Sequence, residues 1–294
     1  MNKQVTLQCA AKINLSLDIT GKRADNYHLL DSIFQTVSVY DRLGISLTDS
    51  EGISITCDAP GIPCDERNLA YKAAEAFLKE SGIRTGIRIE LEKHIPSGAG
   101  MGGGSADAAG VLYALNLLTG KNYSNQELRE IGVKLGADVP FLLLGGTARA
   151  QGIGEELTVL RALPEIPLVI LKGTEGISTP EAYRAIDRLK DVIHPDTDSM
   201  LKAVEKQDIA LLSRSCANLF EAVTDCQDVC RAEKSLMEHG AECAVMTGSG
   251  SAVFGIFRNQ EEAHACAEAL KEEFAFVQAC HTVGQAFIEE DRRE

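Results

Sequence analysis

Tryptophan is absent from this chain of 294 residues, and phenylalanine and tyrosine number only 9 and 6. The interior must therefore be filled by Leu, Ile, Val and Ala. Positive charge is scarce too: 29 Lys and Arg stand against 43 Asp and Glu, a net charge of −14. Such a chain lacks the general field that holds nucleic acid, so no nucleic-acid partner is expected. An anionic ligand must be met by a few local cations. No apolar run approaches the ~20 residues that cross a bilayer. Met1-Asn2-Lys3 leads directly into polar–apolar alternation instead of an apolar leader, so a cytoplasmic location without a membrane partner is expected. Cysteine is present nine times, but the residues are scattered, odd in number and never spaced Cys-x-x-Cys. Free thiols in a reducing compartment fit this pattern better than a zinc or redox centre. The histidines likewise show no metal-ligand spacing. Gly-x-x-x-x-Gly-Lys-Ser/Thr does not occur, which excludes a Walker loop. His-Arg-Asp and Asp-Phe-Gly are also missing, which excludes a protein kinase.

What the chain does have is Pro96-Ser97-Gly98-Ala99-Gly100-Met101-Gly102-Gly103-Gly104-Ser105-Ala106, with five glycines in the seven residues from 98 to 104. Glycine lets backbone approach a ligand closely and adopt positive φ. The small helix formers after it (Ala106, Ala108, Ala109) open a helix over about 105–118, and the free N–H groups of a helix start attract phosphate. Gly98-x-Gly100-x-x-Gly103 also matches a dinucleotide fingerprint literally. Two features argue against that reading. The preceding strand over 86–95 alternates Ile87, Ile89 and Leu91 with Arg88, Glu90 and Glu92, whereas a central parallel strand is nearly all apolar. The acidic residue expected about 20 positions on would fall in the helix–helix turn around Asn122–Asn125.

Elsewhere, Ile13, Leu15, Leu17 and Ile19 alternate with Asn14, Ser16 and Asp18, the pattern of a half-buried strand. Residues 37–47 and 53–57 read as paired strands around the turn Asp49–Gly52. Asn68 caps a helix over 69–81 stopped by Gly82. Ser124-x-x-Glu127 is a capping box for a helix ending near Gly136. Asp138 would then lie at a helix end, opposed to the negative pole. Pro164 and Pro167 bracket a linker, dividing the chain into 1–164 and 165–294. Beyond it lie a strand over 168–171, a helix beginning at Thr179-Pro180-Glu181 with Thr179 as cap, a helix near 226–239, strands over 243–246 and 252–257, a helix over 260–274 and a last strand near 276–282. The class is α+β in two domains. The acidic end, 289–294, reads as solvated.

The glycine loop resembles the phosphate loop of the galactokinase, homoserine kinase, mevalonate kinase and phosphomevalonate kinase superfamily. Ala11-Lys12-Ile13-Asn14-Leu15 and Met246-Thr247-Gly248-Ser249-Gly250-Ser251 fit that superfamily in order. Gly21–His28 and Gly136-Ala137-Asp138-Val139-Pro140-Phe141 resemble the branch that phosphorylates a cytidine-diphospho polyol of non-mevalonate isoprenoid synthesis. The chain departs from the family at Met101, usually Leu, and at Ala106, where a second Ser is common.

The resemblance implies a deep cleft between an amino-terminal α/β domain and a carboxy-terminal α+β sandwich, with ATP and Mg2+ and a small-molecule acceptor. Residues 96–106 would hold ATP, and Asp138 would accept the proton of the attacking hydroxyl beside Lys12. Tyr27 would stack on the cytidine base and His28 would hydrogen-bond it; Phe34, Thr179 and Tyr183 would complete that region, and Asn14 would meet the polyol. Asn68 has its cap role and, by the resemblance, a place near adenine. Gly248, Ser249 and Gly250 either approach a phosphate or join two strands. The magnesium ligands stay undefined, and the assembly is a monomer or homodimer. The rival readings are another small-alcohol kinase of this superfamily and a non-catalytic nucleotide-binding protein.

Overall fold

A computed structural model describes residues 3–293; Met1 and Asn2, on which the leader expectation falls, and Glu294, the end of the acidic tail, lie outside the described residues. The chain opens with two long antiparallel strands, β1 (Gln4–Lys22) and β2 (His28–Thr48), followed by β3 (Gly52–Cys57), α1 (Leu69–Ser81) and β4 (Gly86–Glu92). Next come α2 (Gly103–Thr119), α3 (Asn125–Gly132), α4 (Val139–Leu144), β5 (Thr147–Gln151) and β6 (Glu156–Val159). The second half contains β7 (Pro167–Lys172), α5 (Thr179–Ile186), α6 (Thr197–Lys206), α7 (Ile209–Ser215), β8 (Ala217–Asn218) and a 3-10 turn over Leu219–Ala222. It closes with α8 (Gln227–Glu238), β9 (Cys243–Met246), β10 (Val253–Ile256), α9 (Gln260–Leu270), β11 (Phe276–His281) and β12 (Phe287–Arg293).

Two sheets result. The larger runs β12-β1-β2-β4-β3, with β5 and β6 branching from β2 and β8 from β1; the smaller runs β11-β7-β10-β9. The hairpin expected between residues 37–47 and 53–57 does not form. β4 pairs antiparallel with β2 through Leu43↔Leu91 and Ile45↔Ile89, and β3 lies parallel on its outer side. The alternating apolar face of β4 is what fits the buried position, since Ile87, Ile89 and Leu91 are all in the core. The acidic tail is exposed over residues 289–293, as expected, but it also forms a strand: β12 pairs with β1, and Glu290 accepts hydrogen bonds from Arg42 and Gln8 at 2.7 Å each.

β1 is not half-buried, as alternation alone suggested. Both faces are covered from Cys9 to Ile19, and Lys12, Asn14, Ser16 and Asp18 are buried with the apolar residues. On the polar face Lys12 and Asn14 line an internal cavity, while Asp18 pairs with His194. Register shifts between Ala10 and Ala11 and between Asn14 and Ser16 interrupt the β1–β2 pairing on either side of Lys12; such bulges bend a strand and re-aim its side chains. α2 lies against this sheet with most of its length in the core. At Gly110 an added Cβ would come within 2.5 Å of Cys9 Sγ and 2.7 Å of Leu43 Cδ2, so helix and sheet approach as closely as backbone permits.

Local signals held where the structure needed only neighbouring residues. Asn68 Oδ1 accepts from the Ala70 N–H at 2.9 Å, and Ser124 with Glu127 forms the capping box. That second helix stops at Gly132, and a short turn then leads to Asp138. Asp138 is the residue before α4, so it stands at the positive end of that short helix, and its side chain makes no cap. Similarly, Ser178 is the cap position of α5 and Thr179 its first residue, which frees the Thr179 hydroxyl for a partner elsewhere.

Candidate active site

The glycine loop is fixed from two sides. The Lys12 N–H donates to the Met101 carbonyl at 3.0 Å, which ties the loop to β1. On the other side Ala252 N–H donates to Ala99 O at 3.3 Å, and Gly100 meets the second glycine segment backbone to backbone. A Cβ on Gly100 would stand 2.1 Å from Thr247 O, and one on Gly248 would stand 2.8 Å from Gly100 Cα. Both residues also have positive φ (73° and 59°). The second segment therefore packs on the first while lining the same cleft. Asn218, buried after α7, steadies it by donating to Met246 O at 2.6 Å and Gly248 O at 2.8 Å.

Asn14 joins these parts. Its Oδ1 accepts from Lys12 Nζ (2.9 Å), Thr247 Oγ1 (3.1 Å) and Gly248 N (3.0 Å), and its Nδ2 donates to Ser32 Oγ at 2.9 Å. Lys12 is buried, with its ammonium 4.9 Å from the Phe34 ring centroid and 3.7 Å from Asp138 Oδ2. Phe34 packs edge-on against Phe141 with centroids 5.1 Å apart, so it is wall and core at once. The Asp138 side chain is 31% exposed and open to the cleft. Tyr183 is half-buried nearby, and its burial, with the charge of Asp138 as a second cause, pushes its phenol up to about 12.

Three cavities stand in series. The first, about 420 Å³, is lined by residues 96–105 with Asn68 and Lys93. It shares Gly98, Gly100 and Gly102 with a central cavity of about 230 Å³ that holds Lys12, Asn14, Phe34 and Asp138. The central cavity shares Thr179 and Tyr183 with a third, about 530 Å³, lined by Tyr27, His28 and Asp187. Of the residues expected at the site, only Ala106 lines none of the three; it packs into the core, with its N–H on Gly102 O at 2.8 Å. Gly248, Ser249 and Gly250 line the central cavity, and Ser249 Oγ lies 2.6 Å from the Thr179 hydroxyl.

Two clusters were not anticipated. Beneath the glycine loop, Lys93 Nζ lies between the carboxylates of Asp41 and Asp107. Asp41 also accepts from the N–H groups of His94 (2.6 Å) and Ile95 (2.8 Å), which fixes the strand's exit into the loop. Burial pushes the Asp107 carboxyl up against the pull of Lys93. The only hint in the sequence was an Asp within the apolar start of α2. In the third cavity, Asp187 bridges Lys22 and His28 at 2.6 and 2.7 Å. Its spacing, one turn past Tyr183 and two past Thr179, was the signal available.

Two family descriptions match the chain: "GHMP kinases N terminal domain" over residues 68–146 and "GHMP kinases C terminal" over 200–275. Fold and site together define a GHMP kinase. A 4-diphosphocytidyl-2-C-methyl-D-erythritol kinase of Clostridium botulinum (strain Alaska E43 / Type E3) is 41% identical over 279 residues, covering 94% of this chain and 99% of the relative. Another from Caldicellulosiruptor saccharolyticus is 43% identical over 267 residues, 90% of this chain and 92% of that one. A crystal structure of 4-(cytidine 5'-diphospho)-2C-methyl-D-erythritol kinase superimposes with a TM-score of 0.81 at 34% identity, covering 97% of this chain and all of that one. Homoserine kinase from Cytophaga hutchinsonii shares the fold at 21% identity, with a TM-score of 0.79. The chain belongs to the 4-diphosphocytidyl-2-C-methyl-D-erythritol kinase family.

Proposed function

We propose that this protein transfers the γ-phosphoryl group of ATP to the 2-hydroxyl of 4-diphosphocytidyl-2-C-methyl-D-erythritol, a step toward isoprenoid precursors by the non-mevalonate route. The observation that carries this reading is the serial arrangement of the cavities. Nucleotide phosphates, a reacting alcohol and a distal base each have a compartment, and the shared walls are the glycine loop on one side and Thr179 with Tyr183 on the other.

Phosphoryl transfer depends on placing the reactants in line and neutralising charge. The backbone N–H groups of residues 98–105 and the positive end of α2 receive the phosphates. Asp138, whose carboxylate is not used in capping, accepts the proton of the acceptor hydroxyl as it attacks. The Lys12 ammonium, held by Asn14 and stacked on Phe34, faces the negative charge that develops between phosphate and alcohol. Tyr27, 60% exposed, presents a free ring face to the cytosine.

Among the described residues no three His, Cys, Asp or Glu side chains cluster to cage a metal. The Ser105 hydroxyl, in the first turn of α2 and lining the cavity of the glycine loop, is the candidate protein oxygen for magnesium carried on the nucleotide phosphates. When bound, the ion neutralises charge on the β- and γ-phosphates. The same reading divides the chain into units 1–164 and 165–294, with β8 and β12 of the second returning to the first unit's sheet, and assigns it to the cytoplasm as a monomer or homodimer without nucleic acid or membrane. The net charge of −14 supports the exclusion of nucleic acid.

The test is ADP release with a panel of cytidine-diphospho alcohols. Turnover with the methylerythritol compound and little with homoserine or mevalonate is expected. Equal turnover of a simple alcohol would overturn the assignment.

A further inference from the structure

We propose that Asp187 is a positioning residue that selects cytosine over uracil by fixing which nitrogen of His28 carries the proton. The inference rests on the substrate reading above. His28 Nε2 lies 2.7 Å from Asp187 Oδ1, while Lys22 Nζ donates to Oδ2 of the same carboxylate at 2.6 Å. The hydrogen bond from Lys22, then that from His28, holds the Asp187 carboxyl below the usual carboxylate range. An ionised carboxylate only accepts, so Nε2 must be the donor. In the neutral ring Nδ1 is then an acceptor. No hydrogen bond among the described residues engages Nδ1, and His28 lines the third cavity.

The ring has little freedom to present anything else. It stacks on Tyr183 at 4.5 Å between centroids and 19° between planes, and Tyr183 is braced edge-on by Phe220. Asp187 follows the last turn of α5, where its own N–H is tied to the Tyr183 and Ala185 carbonyls. The helix that supplies the stacking ring therefore also supplies the carboxylate.

An acceptor at Nδ1 complements the exocyclic amino group of cytosine. Uracil carries an oxygen acceptor at that position, and two acceptors facing each other leave both unpaired, at a cost of about tenfold or more in affinity. In Asp187→Asn, Lys22 holds the carboxamide oxygen and turns the NH₂ toward His28. Nε2 must then accept, the proton moves to Nδ1, and the ring presents a donor that suits uracil.

The experiment compares kcat/KM for the cytidine-diphospho substrate and its uridine counterpart in the wild type, Asp187→Asn and Asp187→Ala, with the KM for ATP as control. The nitrogen-15 resonances of His28 are recorded in ligand-free protein. The proposal expects an Nε2-protonated ring in the wild type and an Nδ1-protonated ring in Asp187→Asn. The cytidine-to-uridine ratio should fall about tenfold or more in that variant, with a smaller fall in Asp187→Ala and an unchanged KM for ATP. A folded Asp187→Asn protein with the wild-type ratio and the wild-type tautomer would overturn it. A wild type that turns over neither substrate would defeat the substrate reading instead, and the ligand-free resonances would still decide the tautomer.

Discussion

Gly100 and Gly248 touch through their backbones: a Cβ on Gly248 would lie 2.8 Å from Gly100 Cα and 2.9 Å from Gly100 O. The glycine loop thus takes its shape partly from a segment almost 150 positions away. Gly248→Ala meets both this clash and a φ of 59°, a conformation that costs a side chain about 1–2 kcal/mol. Relief requires the two loops to separate. Displacement of a reacting group by an ångström costs about 100-fold, so steady-state kinetics should show a kcat loss of that order with a raised KM for ATP. Near-normal kcat in Gly248→Ala would show that the contact does not shape the site.

Lys93 is placed between two carboxylates that would otherwise be buried and uncompensated. Breaking a buried ion pair by removing one partner costs about 3–5 kcal/mol. Lys93→Met should therefore unfold at markedly lower denaturant concentration. Adding Asp107→Asn should recover part of the loss, because Asp41 keeps its two backbone donors. Denaturation midpoints for the three proteins check this, and equal midpoints for Lys93→Met and wild type would refute it.

Glu221 accepts from the Met246 N–H at 2.7 Å, at the entry to the second glycine segment. Burial, the largest cause, pushes its carboxyl up to about 7. Burial also raises Glu233, which shares a hydrogen bond with Glu221. A folded-state value above the unfolded one means that the native protein keeps a proton the unfolded chain releases. The associated stability is complete below about pH 4.5 and is lost as pH rises through about 7, an effect on the order of 2 kcal/mol. Glu221→Gln keeps an acceptor for Met246 and a donor for Glu233 without a charge. Its Tm relative to wild type should rise between pH 4.5 and 7; parallel curves would remove this role.

Tyr27 is exposed at the mouth of the third cavity and has no ring partner among the described residues, whereas Tyr183 is half-buried and braced. Stacking a base on an aromatic ring is worth about 1–3 kcal/mol. Tyr27→Ala should raise the KM for the cytidine-diphospho substrate roughly 5- to 150-fold on that scale and leave the KM for ATP alone. Unchanged kinetics would place the base elsewhere.

Much of this site is legible in the sequence because it is built from local signals. The glycine run, the small residues of α2, the Asn68 cap and the Ser124–Glu127 box each need only neighbours within a turn or two. What was not legible is non-local. Whether residues 53–57 pair with β2 or β4 depends on a strand some thirty residues later. Alternation in β1 marks two faces but does not say that the polar one, with Lys12 and Asn14, points into a cleft. β12 has too few apolar residues to announce a strand and is held instead by Arg42 and Gln8. Thr179 was displaced from its expected capping role, and Asp138 precedes α4 instead of ending the helix before it; both side chains line the central cavity.

The account depends on Asp138 as the group that takes the acceptor proton, 3.7 Å from a buried Lys12. Single-turnover phosphoryl transfer by Asp138→Asn, measured beside ATP affinity, tests this most directly. General-base catalysis contributes about 10²- to 10⁴-fold, so the rate constant should fall by that factor while ATP binds as in the wild type. A folded Asp138→Asn protein that transfers phosphate at nearly the wild-type rate would contradict the account.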